Sequence, residues 1–275
     1  MHVLKTSKVG LSLMLVGVLA GAARAQPNPE ALATRIEAAH ASQLGEVNRV
    51  TIVSTIEGGM VDGIRSTGRY VKEERDGKSV LQALEEGDMD MMNVAGFHDG
   101  TLPDMVRHAR EIRADRLDGS PVFVVMVDDA DFLRSLNDLQ LDEELADDDF
   151  IPKEATLWLN TSDLSPRRLQ FIQTGPQGGE MTFTVSLADY QVHRGLPIAH
   201  RMEIQIQGME QMMSSEDLAA ARQQMQQLKA QLEMMPEEHR AMIEAQMAPQ
   251  IEQFEQMMAG GGTEMRVRVV DVQVE

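Results

Sequence analysis

Seven histidines, 44 acidic residues and 21 methionines supply most of the side chains that could do chemistry in this chain of 275 residues, because cysteine is absent. The histidines form no H-E-x-x-H pair, and His98-Asp99 stands without the further histidines and aspartates that a metal hydrolase of the HD type requires. Absence of cysteine removes the thiol nucleophile, and no G-x-S-x-G elbow presents a serine. The glycine clusters GGMVDG, GPQGGE and AGGG lack the lysine and the strand-to-helix setting of a phosphate loop, so they read as turns. These residues predict a chain without catalysis, metal site or cofactor.

The methionines are the oddity of the composition. Met89, Met91 and Met92 cluster, and Met212-Met213, Met234-Met235 and Met257-Met258 come in pairs. Thioethers ligate Cu(I), which keeps a Met-based copper binder as a minor alternative. The same residues recur at helical core positions, where an unbranched, polarizable side chain makes an adaptable apolar surface, and packing is the better reading. Ten acids between residues 128 and 149 lack the spaced D-x-D-x-D-G-x5-E pattern of a Ca²⁺ loop. With Phe132, Leu136, Leu139 and Leu145 near helical spacing, this run predicts an acidic helix on a solvated rim.

Lys5 and Lys8, the apolar run from Val9 to Leu19 and the small residues ending Ala23-Arg24-Ala25 read as a secretory signal over residues 1–25, with the remaining chain, residues 26–275, a single domain starting at Gln26. The run is shorter than the roughly 20 apolar residues of a membrane span. A periplasmic protein, soluble after cleavage, is expected, with no disulfide and no cysteine to carry a lipid. A formal charge of −19 would be repelled by nucleic acid and by anionic headgroups, so any lipid contact must be apolar.

The elements that would position an apolar site come from periodicity. Leu32, Ile36, Ala39 and Gln43 predict a helix over residues 29–44. Alternation through Val50, Ile52, Ser54 and Ile56 predicts a strand, TGRYVKEERDGKS a second closing on Asp76-Gly77, and RADRLDGSPVFVVMV a hairpin whose second strand, Val122 to Val127, is apolar on both faces. Residues 81–109 read as loop with a short helix begun near Pro103. TLWLNTSDLSPRRLQFIQT forms a hairpin with Leu157, Leu159, Leu169 and Phe171 on one face and Trp158 on the other. TFTVSLADY and PIAHRMEIQIQ repeat the pattern, and TEMRVRVVDVQVE supplies a last strand with a bulge at Val269-Val270. Residues 209–259 take a helical period instead, a helical hairpin with stripes through Met225 and Leu228 and through Met247, Ile251 and Phe254.

The order of these parts resembles the LolA-like superfamily of envelope proteins. It is carried by the N-terminal helix before the first strand, the RLDGSPVFVVMV and LWLNTSDLSPRRLQF hairpins, and the ADYQVHRGLPIAHRMEIQ step towards a C-terminal strand. The resemblance implies an α+β fold in which an open, curved antiparallel half-barrel is closed by helices as a lid, and a role in holding acyl chains of lipoproteins or related apolar ligands. The hairpin at 209–259 is larger than that family core needs. The expected cavity wall is Leu157, Leu159, Leu169, Phe171, Phe183, Val185, Met202, Ile204 and Ile206, with Met225, Leu228, Met247, Ile251 and Phe254 on lid or partner-binding helices. A carrier of an acyl chain or lipidated partner is the reading; an envelope sensor or scaffold docking a protein through the hairpin is the alternative, and an ordinary filled core stands beside the cavity.

Overall fold

The computed structural model describes residues 27–58, 63–84, 100–138, 151–175, 178–208 and 262–275, with scattered positions from 211 to 230. The leader, His98, all the clustered methionines named above, and Met225, Leu228, Met247, Ile251 and Phe254 lie outside the described residues. Of the expected helical hairpin at 209–259, only Gln211, in a 3-10 turn, and Ala219, Ala220, Gln223, Gln226, Gln227 and Ala230, as α-helical, are described, all exposed.

Among the described residues ten strands form one antiparallel sheet: β1 (Arg49–Gly58), β2 (Arg65–Arg75), β3 (Lys78–Ala83), β4 (Glu111–Leu117), β5 (Ser120–Val127), β6 (Ile151–Asn160), β7 (Pro166–Thr174), β8 (Glu180–His193), β9 (Leu196–Gln207) and β10 (Thr263–Val274). Their order is β3-β2-β1-β10-β9-β8-β7-β6-β5-β4, so among the described residues β3 and β4 are the edge strands, and the C-terminal strand lies in the interior of the sheet. Three hairpins turn in two residues, at Asp76-Gly77, Asp118-Gly119 and Arg194-Gly195, all with positive φ. That backbone matches the right-handed twist of paired strands, and glycine enters it without a Cβ clash. Val53 pairs with Asp271 and Ser54 with Val269, which leaves Val270 as the extra residue of the expected bulge.

Three helices are described: α1 (Pro29–Gln43), α2 (Thr101–Arg107) and α3 (Ala130–Asp138). The Asn28 side chain accepts from the Ala31 amide at 3.0 Å, and Pro29 fills the first helical position, where its missing N–H is no loss. α2 packs on α1 and on β5, while its Asp104 lies 3.9 Å from Lys78 of β3. In a flat sheet the eight steps from β3 to β5 would span about 38 Å, against about 10 Å for a seven-residue helix. The sheet must therefore curl strongly around the helices. Leu32, Ala33 and Ile36 of α1, Leu102, Met105 and Val106 of α2, and Leu133 and Leu136 of α3 join one continuous core with the sheet's inner face.

The expected open, helix-covered antiparallel sheet is present. β3 is an addition to the expected strands, since Val80 and Leu81 are adjacent buried residues and give no alternation to read. β8 runs past the expected TFTVSLADY to His193, because pairing with β9 continues after the apolar period stops. α3 begins where the acidic run predicts, and residues 139–150 lie outside the described residues. Three of these acids are engaged: Asp128 pairs with Arg110 at 2.6 Å, Asp129 both accepts from the Phe132 amide and meets His108 Nδ1 at 2.8 Å, and Asp131 meets Arg134 at 3.2 Å.

The chain leaves β9 at Gly208 and re-enters the sheet at Gly262, where Ile206 pairs with Thr263. Both glycines have positive φ, and a Cβ on Gly208 would come 2.1 Å from the Glu180 carbonyl oxygen. The connection of residues 209–261 is thus rooted on two backbone positions that admit no side chain.

Candidate functional site

Strict alternation on each strand and the antiparallel register bring all nine wall residues expected from the sequence onto one face. Ile112, Val125, Leu157, Leu169, Val185, Ile204 and Met265 pair successively across seven strands into a single row. A neighbouring row runs Val127, Ala155, Phe171, Phe183, Ile206 to Thr263. On the other side, Leu187 pairs with Met202, Met202 with Val267 and Val267 with Ile56. Trp158 takes the opposite face, as expected, with the Arg168 guanidinium 5.9 Å from its ring. Val122 and Val124 there are 0% and 1% exposed, so β5 is covered on both faces.

The nine residues are not equivalent. Leu157, Leu159, Leu169, Val185, Met202 and Ile204 are buried in the core shared with the helices, whereas Phe171, Phe183 and Ile206 are only partly buried. The partly covered row lies at the end where β7 stops at Thr174, β8 starts at Glu180, β9 stops at Gln207 and β10 starts at Thr263. At that end the sheet keeps partly exposed apolar surface; further along, the inner face is buried in the core that residues of α1 to α3 share.

A second feature sits between α1 and the opposite ends of the strands. A cavity of about 10 Å³, room for one water, is lined by His40 and Gln43 of α1, the β6–β7 turn from Asp163 to Pro166, and Tyr190 and Pro197. The Tyr190 hydroxyl donates to the Pro166 carbonyl, and the Arg167 guanidinium lies 4.7 Å from the Tyr190 ring. Burial pushes the His40 imidazole down to about 4, with Glu37 opposing, and burial raises the Tyr190 hydroxyl above its usual range. Sequence reading places His40 on a helix but carries no signal for this cluster, whose members are over a hundred residues apart. Its size suits packing α1 to the sheet, not a ligand.

Arg107 of α2 joins Glu30 at 3.2 Å, Glu37 at 2.7 Å and Asp104 at 2.8 Å, and Lys78 of β3 meets Glu37 at 2.8 Å. Burial opposes ionisation of Glu37, yet hydrogen bonds from Lys78 and Arg107 hold it below the usual carboxylate range. These ion pairs tie α1, α2 and edge strand β3 together on the covered side of the sheet.

The sequence matches no protein-family profile and no curated protein. Among solved structures the chain is similar to a DUF1329 family protein from Desulfovibrio piger, at 8% identity and a TM-score of 0.39, over 90% of this chain and 92% of that one. It is also similar to a LolA superfamily protein from Nitrosomonas europaea, at 10% identity and a TM-score of 0.33, over 88% of this chain and 93% of that one.

Proposed function

We propose that this protein is a non-catalytic periplasmic carrier that seats an acyl chain, free or on a lipidated partner, against the Phe171–Phe183–Ile206 end of its curled sheet. One observation supports the reading: Phe171, Phe183 and Ile206 continue the apolar inner face but stay partly exposed, whereas the adjoining Leu169, Val185 and Ile204 are buried. Aromatic and branched side chains in such a position favour a flexible hydrocarbon, each buried methylene contributing about 0.8 kcal/mol. No helix among the described residues is long and apolar enough to cross a membrane.

The sealing of six of the nine wall residues favours, as a second reading, a scaffold of the same fold whose inner face is simply core. Native mass spectrometry of protein prepared without detergent, followed by solvent extraction, separates the two. A copurifying acyl species near unit stoichiometry, displaced by a fluorescent fatty acid, supports the carrier. An empty mass together with no probe uptake overturns it and leaves the scaffold.

A further inference from the structure

β9 and β10 pair from Ile206–Thr263 as far as Arg201–Arg268. β9 then runs on to Leu196 beside β8, while β10 runs on to Val274 beside β1. The bulge at Val270 marks the fork, and the His200 ring hydrogen-bonds the Val269 backbone where the strand contact ends. Further along, Glu275 and Arg49 exchange both backbone hydrogen bonds, at 3.0 and 3.2 Å. Antiparallel alternation then turns the N–H and C=O groups of Asp271 and Gln273 towards β1 and those of Val272 and Val274 away from it. On that side, among the described residues, β10 has no strand neighbour beyond Arg268. Strand edges are commonly blunted by charge, as on β4, where Glu111, Arg113, Asp115 and Arg116 fall within 7 residues. The open stretch of β10 instead carries Val270, Val272 and Val274, residues that favour an extended backbone, and Val270 is 49% exposed.

We infer that residues 270–274 of β10 take up, as an added strand, an extended basic peptide segment in which apolar side chains on one face alternate with lysine or arginine on the other. The two faces of β10 set that chemistry. Val272 and Val274 pack against the core on the inner face. On the outer face Asp271 accepts from the Gln273 amide at 3.3 Å, Glu275 follows two residues on, and among the described residues no ion pair neutralises Asp271. A second copy of the chain would bring the same acids and its own charge of −19 to this edge, which disfavours self-pairing. The site is independent of the apolar row, which reaches β10 at Thr263, the other end of the strand.

The test is fluorescence anisotropy of a labelled heptapeptide of alternating lysine and valine, titrated with the purified chain. Saturable one-to-one binding is expected, about tenfold weaker for the glutamate–valine and lysine–glycine heptapeptides and in Asp271→Lys. Val272→Pro should abolish it, because proline there removes an N–H that faces away from β1 and leaves the β1 ladder its bonds. The same assignment is read without any substitution by amide hydrogen exchange, where Val272 and Val274 should exchange openly in the free chain and about tenfold more slowly with saturating peptide. Equal affinity for the glutamate peptide, binding that survives Val272→Pro in a folded protein, or amides of Val272 and Val274 already protected in the free chain overturns the site. Protection that rises with protein concentration alone also overturns it and gives the edge to a second copy.

Discussion

Leu157 and Phe183 point from neighbouring parts of one sheet face, yet different constraints act on them. Leu157 is fully buried, so Leu157→Ala should cost about 2–5 kcal/mol in urea denaturation, the lost transfer energy plus the cavity left behind. Phe183 is only partly covered, and Phe183→Ala should cost less stability while weakening fatty-acid probe binding about tenfold, which fluorescence titration would read. The alternating sequence placed both on one face but could not rank them, because a period of two shows which residues share a face and not where along the strand other elements cover them. A charge at Leu169 or Ile204, natural wall mutations from sequence alone, would break the core before reporting on any ligand. His40 gives a pH signature. It titrates near 6.5 when unfolded and about 4 when folded, so between those values the unfolded chain binds more protons. Stability is complete above the upper value and falls by up to about 3 kcal/mol as pH drops through the window. His40→Leu should flatten that slope in denaturation curves taken across the window.

At the scale of elements, hairpins were the most legible parts, since period-two alternation and Asp-Gly turns are local signals. β3 escaped because a short edge strand with two adjacent buried residues is held by its neighbour and by α1 more than by its own pattern. The union of α1, α2 and β3 through Arg107 was equally unreadable, its partners lying 70 and 77 residues away at Glu37 and Glu30. Arg107→Ala should destabilise by about 1–2 kcal/mol, more than an isolated surface pair, because one guanidinium serves three carboxylates. A thermal melt that does not move would assign the clamp no energetic role. The β9–β10 connection is separable on the same grounds: replacing residues 209–261 by a short turn between Gly208 and Gly262 should leave a folded sheet by circular dichroism, since Ile206 and Thr263 are already paired. Collapse of the fold on that deletion would show the connection to be part of the core.

For the whole molecule, curl and charge set the terms of any encounter. The sheet is bent far enough for one short helix to meet both β3 and β5, and among the described residues its inner face keeps Phe171, Phe183 and Ile206 partly exposed at one end. A net charge of −19 keeps anionic surfaces at a distance, so flotation with anionic vesicles should recover no more protein than with neutral ones, and acyl uptake should change little with salt.

Gly208 and Gly262 carry one more consequence, for engineering. Chain emerges from the middle of the sheet and returns one strand away, so the spot behaves as a socket in which the length of what is plugged in matters little. Each doubling of a flexible connection there adds only about 0.6 kcal/mol of closure entropy. A fluorescent reporter grafted between these glycines would stand close to the Ile206 end of the apolar row, turning occupancy of that row into an optical signal.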